Sequence, residues 1–167
     1  MKVTLLTVGK TDVPWVRAGL EQYVSRLGHY LKFELKEIPE LKGVGALSEE
    51  QIKTREGELI LKEAGFASVG ASQGRQGSCD ILLLDERGKE YRSVEFAAFL
   101  QERLNRGRDL VFVVGGAYGF SREVYDRASG LISLSKMTFS HQMVRTIFAE
   151  QLYRACTILR GEPYHHE

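Results

Sequence analysis

Two cysteines among 167 residues, Cys79 and Cys156, are too few for a disulfide framework, and neither stands at a metal-ligand spacing. They point to a reduced, cytoplasmic protein with structural thiols. Three prolines and 17 glycines exclude a fibrous or low-complexity chain. No apolar run is longer than five residues, as in Leu110 to Val114, so no transmembrane helix is expected. The N-terminus, Met1-Lys2-Val3, passes into a strand pattern with no signal-peptide core. A charge excess is also missing: 23 basic residues against 22 acidic leave a net charge of +1. A general electrostatic binder of nucleic acid would be more basic, so any such recognition must rest on local patches or a second surface. Residues 33 to 63 carry five Lys or Arg against eight Glu and read as a solvated face. What remains is one ordinary globular domain, 43% hydrophobic and 27% charged.

The pattern along the chain alternates strand and helix. Residues 2 to 9 are β-branched and apolar and end in Gly9, a buried strand. Val16, Leu20, Tyr23, Val24 and Leu27 form one stripe of a helix over Val13 to Tyr30. Phe33 to Ile38 is a second strand, closed by Pro39. Ser48 with Gln51 makes a capping box for a helix to about Glu63. Residues 65 to 79 are rich in Gly and Ser and read as a surface loop. Asp80 to Asp85 is a third strand, followed by a turn at Arg87-Gly88-Lys89. Ser93 is expected to cap a helix to Asn105, and Asp109 to Gly116 to form a fourth strand. Ser121 caps a short helix to Ala128, Leu131 to Leu134 is a fifth strand, and a long helix spans His141 to Arg160. This order predicts an α/β fold: a mainly parallel sheet with helices on both faces. Ligands of such sheets sit beyond the carboxyl ends of strands, here after Leu84, Val114 and Leu134.

The candidate chemistry gathers at those ends. Gly115-Gly116-Ala117-Tyr118-Gly119 follows the fourth strand, where glycines let a ligand approach the backbone. A dinucleotide fingerprint would need glycine at 117 and 120, where Ala117 and Phe120 stand, and this glycine loop does not end in the Gly-Lys-Ser/Thr of a Walker loop. A nucleotide-dependent oxidoreductase is disfavoured accordingly. Ser135, Lys136, Met137, Thr138, Phe139 and Ser140 form the loop before the last helix, with hydroxyls and backbone groups fit for an adenosine-like ligand, or a plain loop ending in a Ser140 N-cap. His141 opens the long helix with Arg145 one turn on, and Glu150 and Arg154 lie one turn apart. His165 and His166 are adjacent, with no cluster to support a metal site.

Four of these motifs occur in order: Val-Gly-Gly-Ala-Tyr-Gly-Phe-Ser (114–121), His-Gln-Met-Val-Arg (141–145), Glu-Gln-Leu-Tyr-Arg-Ala (150–155) and Pro-Tyr-His-His (163–166). With the starting Lys-Val-Thr-Leu-Leu-Thr-Val-Gly-Lys and the 33–39 segment, the chain resembles the RlmH family of the SPOUT superfamily, ribosomal large-subunit RNA pseudouridine N3-methyltransferases. The resemblance spans the chain except residues 65 to 79, where this sequence is expected to be longer than typical members. It implies an α/β-knot, with a C-terminal trefoil knot holding S-adenosylmethionine, and a homodimer with each site shared between subunits. Carried over by residue, the cofactor contacts are Leu84, Gly116 and Ser135 to Ser140. The implied acceptor is a pseudouridine in a stem-loop of 23S rRNA, on the ribosome, with neither membrane nor metal involved. His141 or His165 is then the base, Arg154 or Arg145 stabilises developing charge, and Tyr164 offers a stacking face. A non-catalytic RNA-binding module of the same fold is the competing reading.

The wide apolar arc of the final helix (Val144, Ile147, Phe148, Leu152, Ala155, Cys156, Leu159) suggests cover on more than one side. Phe148 and Leu152 are expected to meet a twofold mate.

Overall fold

The computed structural model describes residues 1–66 and 79–167; most of the Gly/Ser-rich segment lies outside them. Among the described residues five strands form one sheet: β1 (Val3–Val8), β2 (Phe33–Ile38), β3 (Cys79–Glu90), β4 (Asp109–Val114) and β5 (Gly130–Ser133). Their order is β2-β1-β4-β3-β5 and every pairing is parallel. The helices are α1 (Pro14–Leu27), α2 (Glu49–Glu63), α3 (Ser93–Asn105), α4 (Arg122–Arg127) and α5 (Met143–Leu159). None of the described helices is long and apolar enough to cross a membrane.

Alternation along each strand feeds two cores. Leu5, Leu82 and Phe112 face α1, α3 and α5, where they meet Leu20, Leu100, Phe148 and Leu152. Leu6, Val8, Ile81, Leu83 and Val113 face the opposite layer and pack with Ile60 of α2 and Val124 of α4. Both faces are covered, which is why β3 and β4 read as continuous apolar runs.

Several local expectations hold. Ser48 Oγ accepts from the Gln51 amide and the Gln51 side chain accepts from the Ser48 amide, closing the capping box. Ser121 Oγ accepts from the Val124 amide. Others need correction. The first helix ends at Leu27 rather than Tyr30. Ser93 is already helical, and the Arg92 amide before it is held by the Glu95 carboxylate at 2.9 Å. The turn expected at 87–89 is instead part of β3. Leu84 and Lys89 both face Ile132 across the ladder, so residues 85–88 bulge out opposite one residue. Gly88 permits this: a Cβ there would lie 2.6 Å from the Ile132 backbone. The long helix begins at Met143, because residues 141–142 form a turn in which Ser140 Oγ accepts from the Gln142 amide.

The largest surprise is Arg145. It lies on α5 with none of its surface exposed. Its guanidinium donates to the carbonyls of Val8 (2.7 Å), Gly9 (2.9 Å) and His141 (2.9 Å) and to Thr11 Oγ1 (2.9 Å). The Glu37 carboxylate stands 4.0 Å away. Gln142 adds a second tie, accepting from the Asp12 amide and donating to the Lys10 carbonyl. Arg145 therefore fastens the start of α5 to the loop after β1 and has no role at a ligand. Much of the apolar arc of α5 is likewise buried within the chain, although Leu159 at its end is exposed. Phe148 and Leu152 are fully buried against the sheet, α1 and α3, and do not face a mate.

Replacing Arg145 by Met keeps the volume but strips the donor from the Val8 and Gly9 carbonyls. The expected cost is about 3 kcal/mol of unfolding free energy in urea titrations; a loss under about 1 kcal/mol would contradict this role.

Candidate active site

The three strand ends singled out from sequence converge on one cleft of about 630 Å³. Its walls are Leu84 to Arg87 from the bulged part of β3, Val114 to Phe120 at the end of β4 and beyond, and Ile132 of β5 with Leu134 to His141 (without Lys136) after it. Tyr125 of α4 and Val144 of α5 complete it. The size suits a nucleoside-containing ligand, and the lining mixes aliphatic side chains with backbone polar groups. Leu84, Gly116, Ser135, Met137, Thr138, Phe139 and Ser140 all line it, as does the exposed His141; Lys136 stands outside.

The loop after β5 holds its shape with its own hydroxyls. Ser135 Oγ accepts from the Met137 amide (3.0 Å), Thr138 donates to Glu86 (2.8 Å), and Ser140 accepts from Gln142. A ligand here would meet chiefly backbone groups and the side chains of Met137 and Phe139, which are 77% and 36% exposed.

Sequence reasoning passed over one wall. Asp85 accepts from the Arg87 amide (2.8 Å) and guanidinium (3.2 Å), and the Tyr125 hydroxyl bonds both side chains. The Arg87 guanidinium also stacks on the Tyr125 ring, 5.0 Å from its centre. Burial and the bond to Asp85 push the Tyr125 hydroxyl up to about 12. Asp85 stays below its ordinary value: burial acts against this, but the bonds from Arg87 and Tyr125 prevail. The signal available was position alone, since Asp85-Glu86-Arg87 stand where the sequence pattern ends the third strand. Tyr125 gave none.

Gly116 has a different geometry from the one its position suggests. An added Cβ would point away from a ligand, at the Glu56 carboxylate of α2, 2.6 Å from Oε2. The glycine accommodates Glu56 behind the loop as well as a ligand in front of it.

The remaining candidates form a second cluster. Glu150 pairs with Arg154 at 2.7 Å. Tyr164 donates to Glu150 (3.0 Å), its ring meets Tyr153 edge-on at 4.7 Å, and Arg154 sits 4.8 Å over its centre. His165 Nδ1 lies 3.4 Å from Arg154 Nη1 and must be the acceptor, since a guanidinium only donates. Burial, followed by bonds to Tyr23 and Glu150, holds the Tyr164 hydroxyl well above the ordinary tyrosine value. The tail is docked by a left-handed Gly161, after which the Glu162 amide reaches back to the Thr157 carbonyl at 3.0 Å. None of Arg154, Tyr164 or His165 lines the cleft. At ~1.5 Å per residue, Val144 and Arg154 stand roughly 15 Å apart along α5. Among the described residues no group of three or more His, Cys, Asp or Glu could hold a metal.

A parallel α/β sheet with a nucleoside-sized cleft at its carboxyl edge defines a ligand-binding protein of the open-sheet class. Residues 1–165 match the family model described as "Predicted SPOUT methyltransferase". The chain is 52% identical over 167 residues to a Ribosomal RNA large subunit methyltransferase H of Christiangramia forsetii, covering 99% of both. It is 51% identical over 168 residues to one of Parabacteroides distasonis, covering 100% of both. The fold is shared with a probable methylase family protein of Haemophilus influenzae at 10% identity (TM-score 0.50; 99% of this chain, 70% of that one). The chain belongs to the SPOUT methyltransferase family.

The docking of the tail is testable. Tyr164→Ala removes the ring between Tyr153 and Arg154, and carboxypeptidase trimming of residues 165–167 is expected to accelerate roughly tenfold. Unchanged trimming would show the tail to be undocked.

Proposed function

We propose that this protein transfers the methyl group of S-adenosylmethionine to N3 of a pseudouridine in 23S ribosomal RNA, on the ribosome, as a homodimer. The proposal includes the family's knotted threading of the C-terminal segment. The relatives' names supply the large-subunit RNA, and the motif resemblance supplies the pseudouridine N3. The observation that carries the mechanism is the division of candidate residues. The cleft holds His141, while Arg154, Tyr164 and His165 stand together farther along α5, out of its reach. A second copy can bring its tail cluster to the first copy's cleft. The exposed Met137, Phe139 and Met143 give that contact apolar surface near the cleft mouth.

The residues of the cleft suit the cofactor. The glycines admit backbone contact, Leu84, Ile132 and Leu134 supply apolar wall, and Asp85 and Glu86 place negative charge at the edge. The cofactor supplies an electrophilic methyl on a sulfonium centre. N3 of the acceptor base is a weakly acidic imide and must give up its proton as the methyl arrives. A neutral His165 that accepts from Arg154 at Nδ1 carries its hydrogen on Nε2, so His165 would take the imide proton at Nδ1, once Arg154 turns from it to the developing charge. The alternative base is His141 at the cleft rim. Arg154 stabilises the charge that develops on the imide carbonyls. Tyr164 holds Arg154 in place through its ring and Glu150. A net charge of +1 is sufficient where the assembled ribosome adds to recognition.

Two experiments test this. Deleting residues 164–167 is expected to spare cofactor binding in calorimetry and remove methyl transfer; wild-type turnover would overturn the role of the tail. Gly116→Val drives a side chain into Glu56 and pushes the cleft loop out of place; mixing this inactive chain with an inactive Arg154→Ala chain, under subunit exchange, restores one intact site per mixed dimer. Recovery of about a quarter of wild-type activity is expected at random exchange. Activity that stays at background would mean each chain carries its own complete site.

A further inference from the structure

The side chain of Glu56 is used by nothing described so far. It projects from α2 to the back of Gly116, whose front lines the cleft. Its position is tightly set. The next residue, Gly57, lets the backbone of α2 rest directly on the side chains of Ser121 and Val124 at the start of α4. Glu56 Oε2 is buried and has no hydrogen-bond partner among the described residues. A buried carboxylate oxygen left without a donor is costly and is rare in a folded protein. Burial, with Glu40 adding to it, raises the carboxyl above its ordinary value. The nearest charged neighbour therefore worsens its situation. A cation on the far side of Gly116 would improve it.

We propose that Glu56 is the residue by which the site favours a cationic methyl donor over its neutral product, acting through the backbone of Gly116. This rests on the cofactor assignment above. S-adenosylmethionine and S-adenosylhomocysteine share their adenosine and amino-acid parts and differ by one methyl group and one positive charge. A negative charge one backbone layer from the cleft attracts the first more than the second, and the low-dielectric path keeps that attraction from being screened. The consequence is release of the spent cofactor after each transfer. Glu56 is a positioning and specificity residue, since it meets the ligand only through the backbone.

The test is calorimetric binding of both ligands to the full chain as wild type and as Glu56→Gln, which keeps the shape and removes the charge. Donor affinity is expected to fall roughly tenfold in the variant while product affinity holds. Equal losses for both ligands, or no loss for either, would overturn the inference and leave the cofactor assignment standing. Wild-type protein that binds neither ligand would overturn both. Should Glu56→Gln fail to fold, Glu56→Asp withdraws the charge by one methylene, and the same criterion applies: a selective loss of donor affinity supports the inference, and a parallel loss defeats it.

Discussion

The buried guanidinium of Arg145 is the constraint on which the site depends. Its bonds to Val8, Gly9, Thr11 and His141 fix where the last helix starts relative to the end of the first strand. The loop after β5 is held between that anchor and the sheet, so its backbone faces Gly116 across the cleft. A charge taken fully out of water survives only when its donors are nearly all used. Here burial lowers the affinity of Arg145 for its proton, while Glu37, Asp12 and Glu40 oppose the shift. The same device fixes α5 along its length, and so sets the distance between the cleft and the Arg154 cluster.

The sheet was largely legible in the sequence, because its signals are local. Capping boxes act over three residues, and the apolar runs of β3 and β4 follow from burial on both faces. The bulge of β3 was not legible. Asp-Glu-Arg-Gly-Lys has turn composition, and only pairing with β5, some 45 residues on, carries the strand through it. Arg145 was misread for a related reason. Arginine is normally exposed, and three of its four acceptors lie near residue 10, over 130 positions away. Glu56 and Tyr125 gave no signal, since their importance comes from what α2 and α4 lie against.

The candidate site was legible in parts and not as an arrangement. Position at strand ends marked the cleft, and the motifs marked His141, Arg154, Tyr164 and His165. Their separation into two groups belongs to the geometry of α5. Phe148 and Leu152 are satisfied within one chain, so the case for a homodimer rests on a cleft and a tail cluster that are each incomplete. It also rests on the apolar side chains left exposed at the cleft mouth.

The most direct measurement is mass mapping of 23S ribosomal RNA from a strain lacking this protein, before and after treatment of its ribosomes with the enzyme and S-adenosylmethionine. The account predicts a gain of one methyl group on a single fragment containing pseudouridine, with fragmentation placing it on the base at N3. A methyl group on a ribose, or no gain on intact ribosomes with active cofactor present, would contradict it.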